Sequence, residues 1–182
     1  KAEILLHGSF ATTGIGHGTD KALVAGLLGM RPDDIRIPDS FFLAKKDGME
    51  FSFSTITLKD AHPNTAVLRL TGEHGRKIEV QAASIGGGRI LIAKLDGIDV
   101  NFSAEKPTLI VHNVDQPGHV AQVTTMLAEK QVNIATLQLY RDKRGGYAVM
   151  VIETDQEVPE ESVTWLEQLD GIIKVTYINV EE

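Results

Sequence analysis

Leu109-Ile-Val-His-Asn-Val-Asp-Gln-Pro-Gly-His-Val120 is the stretch that decides the fold. Its three leading apolar residues read as a buried strand. Asp115-Gln-Pro-Gly118 is a helix-start signal, with Pro and Gly close to the first turn. Val120, Val123 and Leu127 then recur at helical spacing, and Met126 widens the apolar stripe. Further along, residues 134–140 and 147–152 read as strands joined across Arg141-Asp-Lys-Arg-Gly-Gly146, a hairpin connection. Val163, Leu166 and Leu169 mark a second helix that Gly171 stops, and Ile173, Val175 and Tyr177 give a closing strand. The order β-α-β-β-α-β is the ferredoxin-like arrangement. Four strands under two helices bury a workable core in about 75 residues.

Working outward, the 182 residues carry 18 basic and 25 acidic side chains, a net charge of −7. The charge is unevenly placed: residues 1–106 hold 13 of each sign, whereas residues 107–182 hold 5 basic and 12 acidic. Glycine divides the other way, with 13 of 17 in the first part. This shift predicts two compact units, residues 1–104 and 105–182. There is no cysteine, which excludes disulfides, thiolate zinc sites, a cysteine nucleophile and any iron–sulfur cluster ligated by this chain. No apolar run is long enough for a membrane span, and the start of the chain shows no signal-peptide cleavage pattern. A cytoplasmic protein is the simplest expectation. The acidic balance and scarcity of aromatic residues argue against nucleic-acid binding.

The first part opens on Ile4-Leu5-Leu6, read as a buried strand, and runs into Gly8-Ser-Phe-Ala-Thr-Thr-Gly-Ile-Gly-His-Gly-Thr-Asp20, read as a glycine-dense loop. Thr19 or Asp20 can cap a helix over residues 21–28, which Gly29 ends. Residues 31–38 read as a connection and residues 39–47 as a second short helix. Met49, Phe51 and Phe53 alternate with polar residues as in a half-buried strand, and Ala66, Leu68 and Leu70 form another strand. Glu73-His74-Gly75 turns into a strand over residues 78–82, and another covers residues 90–95. The unit is α/β with an antiparallel component, so the chain as a whole is α+β with a mixed sheet followed by a ferredoxin-like unit.

Three loops of the first unit carry candidate chemistry. His17, with Gly18, Thr19 and Asp20, sits at a helix start, where glycine admits a close ligand and the helix end favours an anion. His17 is suited to act as general acid, base or donor near neutral pH. Asp60-Ala-His-Pro-Asn-Thr65 places His62 and Asn64 between two strands, and Ser84-Ile-Gly-Gly-Gly88 presents Gly86 and Gly87 to a small ligand or a second chain. Each has a plainer reading: His62 as a turn residue, the glycine triplet as a bulge or bend. The histidines His7, His17 and His62 lack metal-ligand spacing, so no metal site is expected. His74 and His119 read as exposed surface, and Lys45-Lys46 as a solvated helix face.

In the second unit, unpaired N–H groups at the helix start after Gly118 suit a carboxylate. Asn113 and Asp115 can answer an ammonium group, with Asn133 beginning the next strand close by; equally, Asp115 can cap the helix and Asn133 turn the chain.

Residues 107–182, with Asp115-Gln-Pro-Gly-His-Val and Val132-Asn-Ile134, resemble an ACT domain, a small-molecule regulatory module. In that family an amino acid sits between paired modules, against the loop after strand one and the start of strand two. The resemblance therefore implies an effector site at Asn113, Asp115, Gly118, Asn133 and Ile134, and a homodimer through ACT domains.

His7-Gly-Ser-Phe-Ala, Gly16-His-Gly-Thr-Asp20, Gly26-Leu-Leu-Gly29, Arg36-Ile-Pro38, His62-Pro-Asn-Thr65 and Ser84-Ile-Gly-Gly-Gly88 occur in an order similar to the β-chain of bacterial iron–sulfur-dependent L-serine dehydratase. That resemblance covers essentially the whole chain. It implies conversion of L-serine to pyruvate and ammonia with a cysteine-bearing α-chain. The α-chain would hold a [4Fe–4S] cluster acting as Lewis acid on the substrate hydroxyl. This chain's share would be substrate placement and proton handling: His17 and His62 as catalytic candidates, and Gly18, Thr19, Asp20, Asn64, Gly86 and Gly87 against L-serine. Family β-chains open with a Ser-Ser-Ser-His-Thr stretch that contributes to the active site, and nothing here matches it. The resemblance thus implies a truncated chain or a lost catalytic element, and a lone chain lacking full activity. The first unit is also similar to the allosteric substrate-binding domain of some phosphoglycerate dehydrogenases, so a non-catalytic amino-acid-binding module is the competing expectation. An orphan dimerisation domain is a third.

Overall fold

The computed structural model describes residues 1–179. The chain divides into two compact units at Gly97/Ile98. Composition marked the junction a few residues later, beyond β6 (Ile98–Phe102). Among the described residues no helix is long and apolar enough to cross a membrane.

The first unit is built on β1 (Ala2–Gly8), a strand that alternates buried Ala2, Ile4 and Leu6 with half-buried neighbours. It pairs in parallel with β2 (Phe51–Thr55) and antiparallel with β3 (Asn64–Thr71), to which β4 (Lys77–Gly86) and then β5 (Arg89–Leu95) are added antiparallel. Ile4, Leu6 and Ala66 face a layer formed by α1 (Ser9–Thr13), α2 (Thr19–Leu27) and α3 (Ser40–Lys46), which contributes Phe10, Val24, Phe41 and Ala44 to the core. Phe41 tilts against Phe51 and Phe53, with ring centroids 5.0 and 5.9 Å away. Parallel strands need a crossover, and the three helices supply it.

Three local features differ from the sequence reading. Residues 9–17, masked in sequence by flanking glycines, contain α1 and a 3-10 turn at Ile15–His17 rather than an open loop. The cap of α2 is Gly18, left-handed at φ 73°, so Thr19 and Asp20 already belong to the helix and neither caps it. Asp96 and Gly97, at φ 46° and 84°, form the tight turn of two left-handed residues that Asp-Gly favours. The strand after it, β6, alternates buried and exposed residues with period two.

The second unit follows the expected order: β7 (Thr108–Val114), α4 (His119–Glu129), β8 (Ile134–Arg141), β9 (Tyr147–Thr154), α5 (Glu160–Glu167) and β10 (Ile172–Ile178). The sheet order is β10-β7-β9-β8, all antiparallel. Leu109, Val111, Met150, Ile152 and Val175 form one face and pack on Val123, Met126, Leu127 and Leu166 of the helices. Each such side chain contributes about 1.5–3 kcal/mol of burial. The other face of β7 and β9, with Ile110, His112, Val149 and Val151, is buried as well. β8 is one of the two edge strands, and it leaves Leu137 and Leu139 exposed.

Candidate functional site

The register of the first sheet brings separate loops to one end. Gly8, the last residue of β1, is level with Asn64, the first of β3. Thr65 opposes Ala83, Ser84 opposes Ile90, and Gly86 opposes Arg89, so the ends of β1 and β4 and the starts of β3 and β5 coincide. With strands about 4.8 Å apart, Gly8 and Ser84 are roughly 10 Å apart. α1 leaves this end and packs on β1 and β3, carrying the chain to residues 14–20. The three loops singled out in the sequence, two of them glycine-rich, all adjoin this end, beyond the carboxyl ends of the parallel pair β1–β2. Open α/β sheets place ligands there.

Gly8 is the pivot. At φ 58° and ψ −126° it adopts a conformation that essentially only glycine reaches. A Cβ on it would stand 2.4 Å from the Pro63 carbonyl oxygen. The Ser9 N–H donates to that same oxygen at 2.8 Å, which fixes the His62-Pro63-Asn64 turn against the start of α1. Within the turn, the Asn64 N–H donates to His62 Nδ1 at 3.1 Å and the Thr65 hydroxyl donates to the His62 carbonyl at 2.6 Å. Since Nδ1 accepts, neutral His62 carries its proton on Nε2 and presents a donor. His7 is engaged similarly: its Nδ1 accepts from the Leu58 N–H at 3.2 Å, which ties down the segment after β2.

His17 ends the 3-10 turn and is exposed, with no hydrogen bond to its ring among the described residues. Behind it the N-terminus of α2 has no side-chain cap. The Asp20 carboxylate instead accepts from its neighbour, the Lys21 N–H, at 2.9 Å. Gly86, Gly87 and Gly88 have φ of 91°, 65° and 75°, and nothing lies within 4 Å of a Cβ placed on any of them. Their glycines serve the left-handed hairpin turn, not a close approach within this chain.

In the second unit the five predicted effector residues do not meet. Asn113, Asp115 and Gly118 lie at the end of β7, level with Ala148 and Tyr147. Ile134 opposes Thr154 at the other end of β9, about 20 Å away along the strand. Asn133, expected nearby, instead donates from Nδ2 to Asp155 Oδ2 at 2.7 Å, and its N–H donates to Gln156 Oε1 at 2.7 Å. The parallel course of β7 and β8 causes this separation: strand two starts where strand one starts, not where it ends.

Asp115 neither caps α4 nor stands free. Its Oδ2 accepts from the Gly145 N–H at 2.8 Å and from Arg141 at 3.2 Å, pinning the β8–β9 hairpin. The Gly145 N–H, followed by Arg141, holds its carboxyl below the ordinary carboxylate value. Gly118, at φ 107°, leaves the start of α4 without a side-chain cap, so the anion-binding end of that helix is open. Asn113 is buried, and its Nδ2 donates to the Val114 carbonyl while Oδ1 has no partner among the described residues.

Two residues beside this loop escaped the sequence reading. His112 is fully buried and bonds through Nδ1 to the Tyr147 hydroxyl. His119, expected on the surface, is 7% exposed: it packs so closely on Gly171 that a Cβ there would stand 2.6 Å from His119 Nε2. Gly171 is left-handed at φ 79° and lacks a side chain, and this long-range fit buries the ring. Only the strand alternation of Ile110 and His112 hinted at either burial.

The family described as serine dehydratase beta chain matches residues 1–46, and the ACT domain matches residues 107–171. The L-serine dehydratase beta chain of Peptoniphilus asaccharolyticus is 35% identical over 181 residues, covering 99% of this chain and 82% of that one. A probable L-serine dehydratase beta chain of Bacillus subtilis is 35% identical over 175 residues, 96% of this chain and 79% of its own. The D-3-phosphoglycerate dehydrogenase of Bacillus subtilis is 26% identical over 161 residues, but these amount to 30% of that enzyme. Likeness at 35% identity along nearly the whole of this chain and about four-fifths of each of these two relatives places this chain in the L-serine dehydratase beta-chain family.

Proposed function

We propose that this chain is the beta subunit of a cytoplasmic enzyme that converts L-serine to pyruvate and ammonia together with a cysteine-bearing alpha chain. The observation that carries the reading is that the His62–Asn64 turn and the Gly86–Gly87 hairpin share one end of the first sheet with Gly8, the residue from which the segment bearing His17 departs. The reaction removes the α-proton and expels the β-hydroxyl. The open N-terminus of α2, at Gly18 and Thr19, suits the serine carboxylate, while Asp20 and the Asn64 side chain suit its ammonium. Nε2–H of His62 is a donor to the substrate. The disengaged ring of His17 is the group free to take or return a proton.

A [4Fe–4S] cluster does not fit on this chain. It has no cysteine, and among the described residues no three His, Asp or Glu side chains cluster as metal ligands. The cluster therefore belongs to the alpha chain in this reading. Anaerobic co-expression of both chains followed by a pyruvate assay tests it: serine-dependent pyruvate is expected, and none from the reconstituted pair refutes it.

The ACT unit serves amino-acid regulation and homodimer formation. A two-fold, antiparallel pairing of β8 edges would cover Leu137 and Leu139. It would also bring Asn133 of the partner subunit to the end that holds Asn113, Asp115 and Gly118, reuniting the effector residues. The phosphoglycerate dehydrogenase likeness supports a second reading, a purely regulatory amino-acid-binding module. Calorimetric titration of serine into the chain without its partner distinguishes that role.

A further inference from the structure

The segment over residues 56–63 carries the chain from β2 across the end of β1 to β3, because β1 lies between those two strands in the sheet. Side chains fasten this segment at two points. Near its beginning the Leu58 N–H donates to His7 Nδ1 at 3.2 Å. At its far end the Thr65 hydroxyl donates to the His62 carbonyl at 2.6 Å. His7 and Thr65 are direct cross-strand partners, so both fastenings lie on one face of the sheet, with Cβ atoms about 5 Å apart.

The second fastening bears on the candidate chemistry. His62 and Pro63 are exposed, whereas Thr65 is 1% exposed and is followed in β3 by buried Ala66 and Val67. Valine has the same branched shape and would fill the position of Thr65. What threonine adds is a hydroxyl, and its proton goes to the carbonyl three residues back. Ser and Thr hydroxyls close local turns in this way. The closed turn brings the Asn64 N–H to His62 Nδ1, at 3.1 Å. Without that donor an exposed imidazole is free to rotate and to carry its proton on either nitrogen. The backbone bond from Ser9 to Pro63 fixes where the turn lies, and Thr65 fixes which way its histidine faces.

We propose that Thr65 is a positioning residue for His62: its buried hydroxyl closes the turn that presents the Nε2–H of the ring to the substrate. The kinetic consequence rests on the proposed function, whereas the state of the ring does not.

The test begins with the full chain by itself, followed by nuclear magnetic resonance. In the unsubstituted protein the Asn64 amide should exchange slowly with solvent. Neutral His62, above the ordinary histidine pKa of about 6.5, should show the Nε2–H form alone in long-range proton–nitrogen spectra. Thr65→Val should quicken Asn64 exchange at least tenfold and bring in an Nδ1–H fraction, while the other β3 amides stay protected. Thr65→Ala should repeat that result, so the outcome does not depend on how valine packs. Thr65→Ser, which keeps the hydroxyl and loses the methyl, should match the unsubstituted chain. In the two-chain enzyme Thr65→Val should raise the KM for serine about fivefold, the scale of one hydrogen bond, with kcat within twofold, and Thr65→Ser should restore KM. Slow Asn64 exchange and a single tautomer in both hydroxyl-free variants overturn the proposal. So does a Thr65→Ser chain as perturbed as Thr65→Val, since packing and not the hydroxyl would then hold the turn. An unchanged KM in an active Thr65→Val enzyme overturns the link from turn to substrate. An unsubstituted pair that turns over no serine defeats the proposed function alone, and the exchange measurements still decide the role of Thr65.

Discussion

Gly8→Ala is the most informative single change, because two costs can be separated at that position. The backbone at φ 58° and ψ −126° is strained for any residue with a Cβ, at about 1–3 kcal/mol. The added methyl would also stand 2.4 Å from the Pro63 oxygen and 2.8 Å from its Cα, both backbone atoms that no rotamer change can move aside. Overpacking of that kind costs about 1–3 kcal/mol more. The sum, roughly 2–6 kcal/mol, is a large part of the 5–15 kcal/mol that holds a typical domain together. Gly87→Ala is the matched control: it shares the left-handed strain, at φ 65°, but nothing lies within 4 Å of its Cβ, so only about 1 kcal/mol is expected. Urea unfolding of both variants measures the difference, and for a unit of this size Gly8→Ala should melt about 10–30 °C lower. In the two-chain enzyme it should also raise the KM for serine, because the displaced Pro63 carries His62 and Asn64 with it. Equal destabilisation by the two substitutions would refute the claim that β1 and the His62 turn are fixed by backbone contact.

The other expectations are shorter. His17→Ala should lower kcat of the two-chain enzyme by about a hundredfold, the usual worth of a general base, whereas His62→Ala should act mainly on KM; identical pH–rate profiles before and after the His17 change would remove it from proton transfer. The lowered folded value of Asp115 means its contribution to stability is present above the unfolded value of 3.8 and is lost as pH falls through the folded one, so acid melting of the second unit should be shallower in Asp115→Asn. Differential scanning calorimetry between pH 2 and pH 6 checks this, with Asp142, Asp155 and Glu161, also lowered, adding to the pH dependence. Leu139→Asp should weaken self-association at least tenfold in sedimentation equilibrium, and an unchanged dimer would remove the β8 edge from the interface.

What the sequence disclosed, and what it withheld, follows from the range of the interactions. The alternation of Phe51 and Phe53 with serines was readable because burial on one face of a strand imposes period two on the chain itself. α1 was not, because five residues make too short a helix to show periodicity, and its stability comes from Phe10 and Ala11 packing on β1 and β3. β6 could have been found: Asp96-Gly97 announces a tight turn, and Ile98, Val100 and Phe102 alternate after it. The misplacement of Asn133 was also avoidable, since strands one and two of this order run the same way and their starts share an end. His119 was out of reach, for its burial depends on a missing side chain at Gly171, 52 positions away. In the candidate site, the residue types were legible and the tautomer of His62 was not, because that is set by the Asn64 N–H in the folded turn.

The separation of Asn133 from Asn113 along the sheet has a thermodynamic corollary. A small molecule that requires both asparagines is recognised only by an assembled pair, so its apparent affinity must rise with the concentration of chains, and it must in turn act as a molecular glue. Saturation curves recorded at two protein dilutions would then fail to superimpose, and the amount of subunit in the cell would set the sensitivity of the response as much as the amount of metabolite.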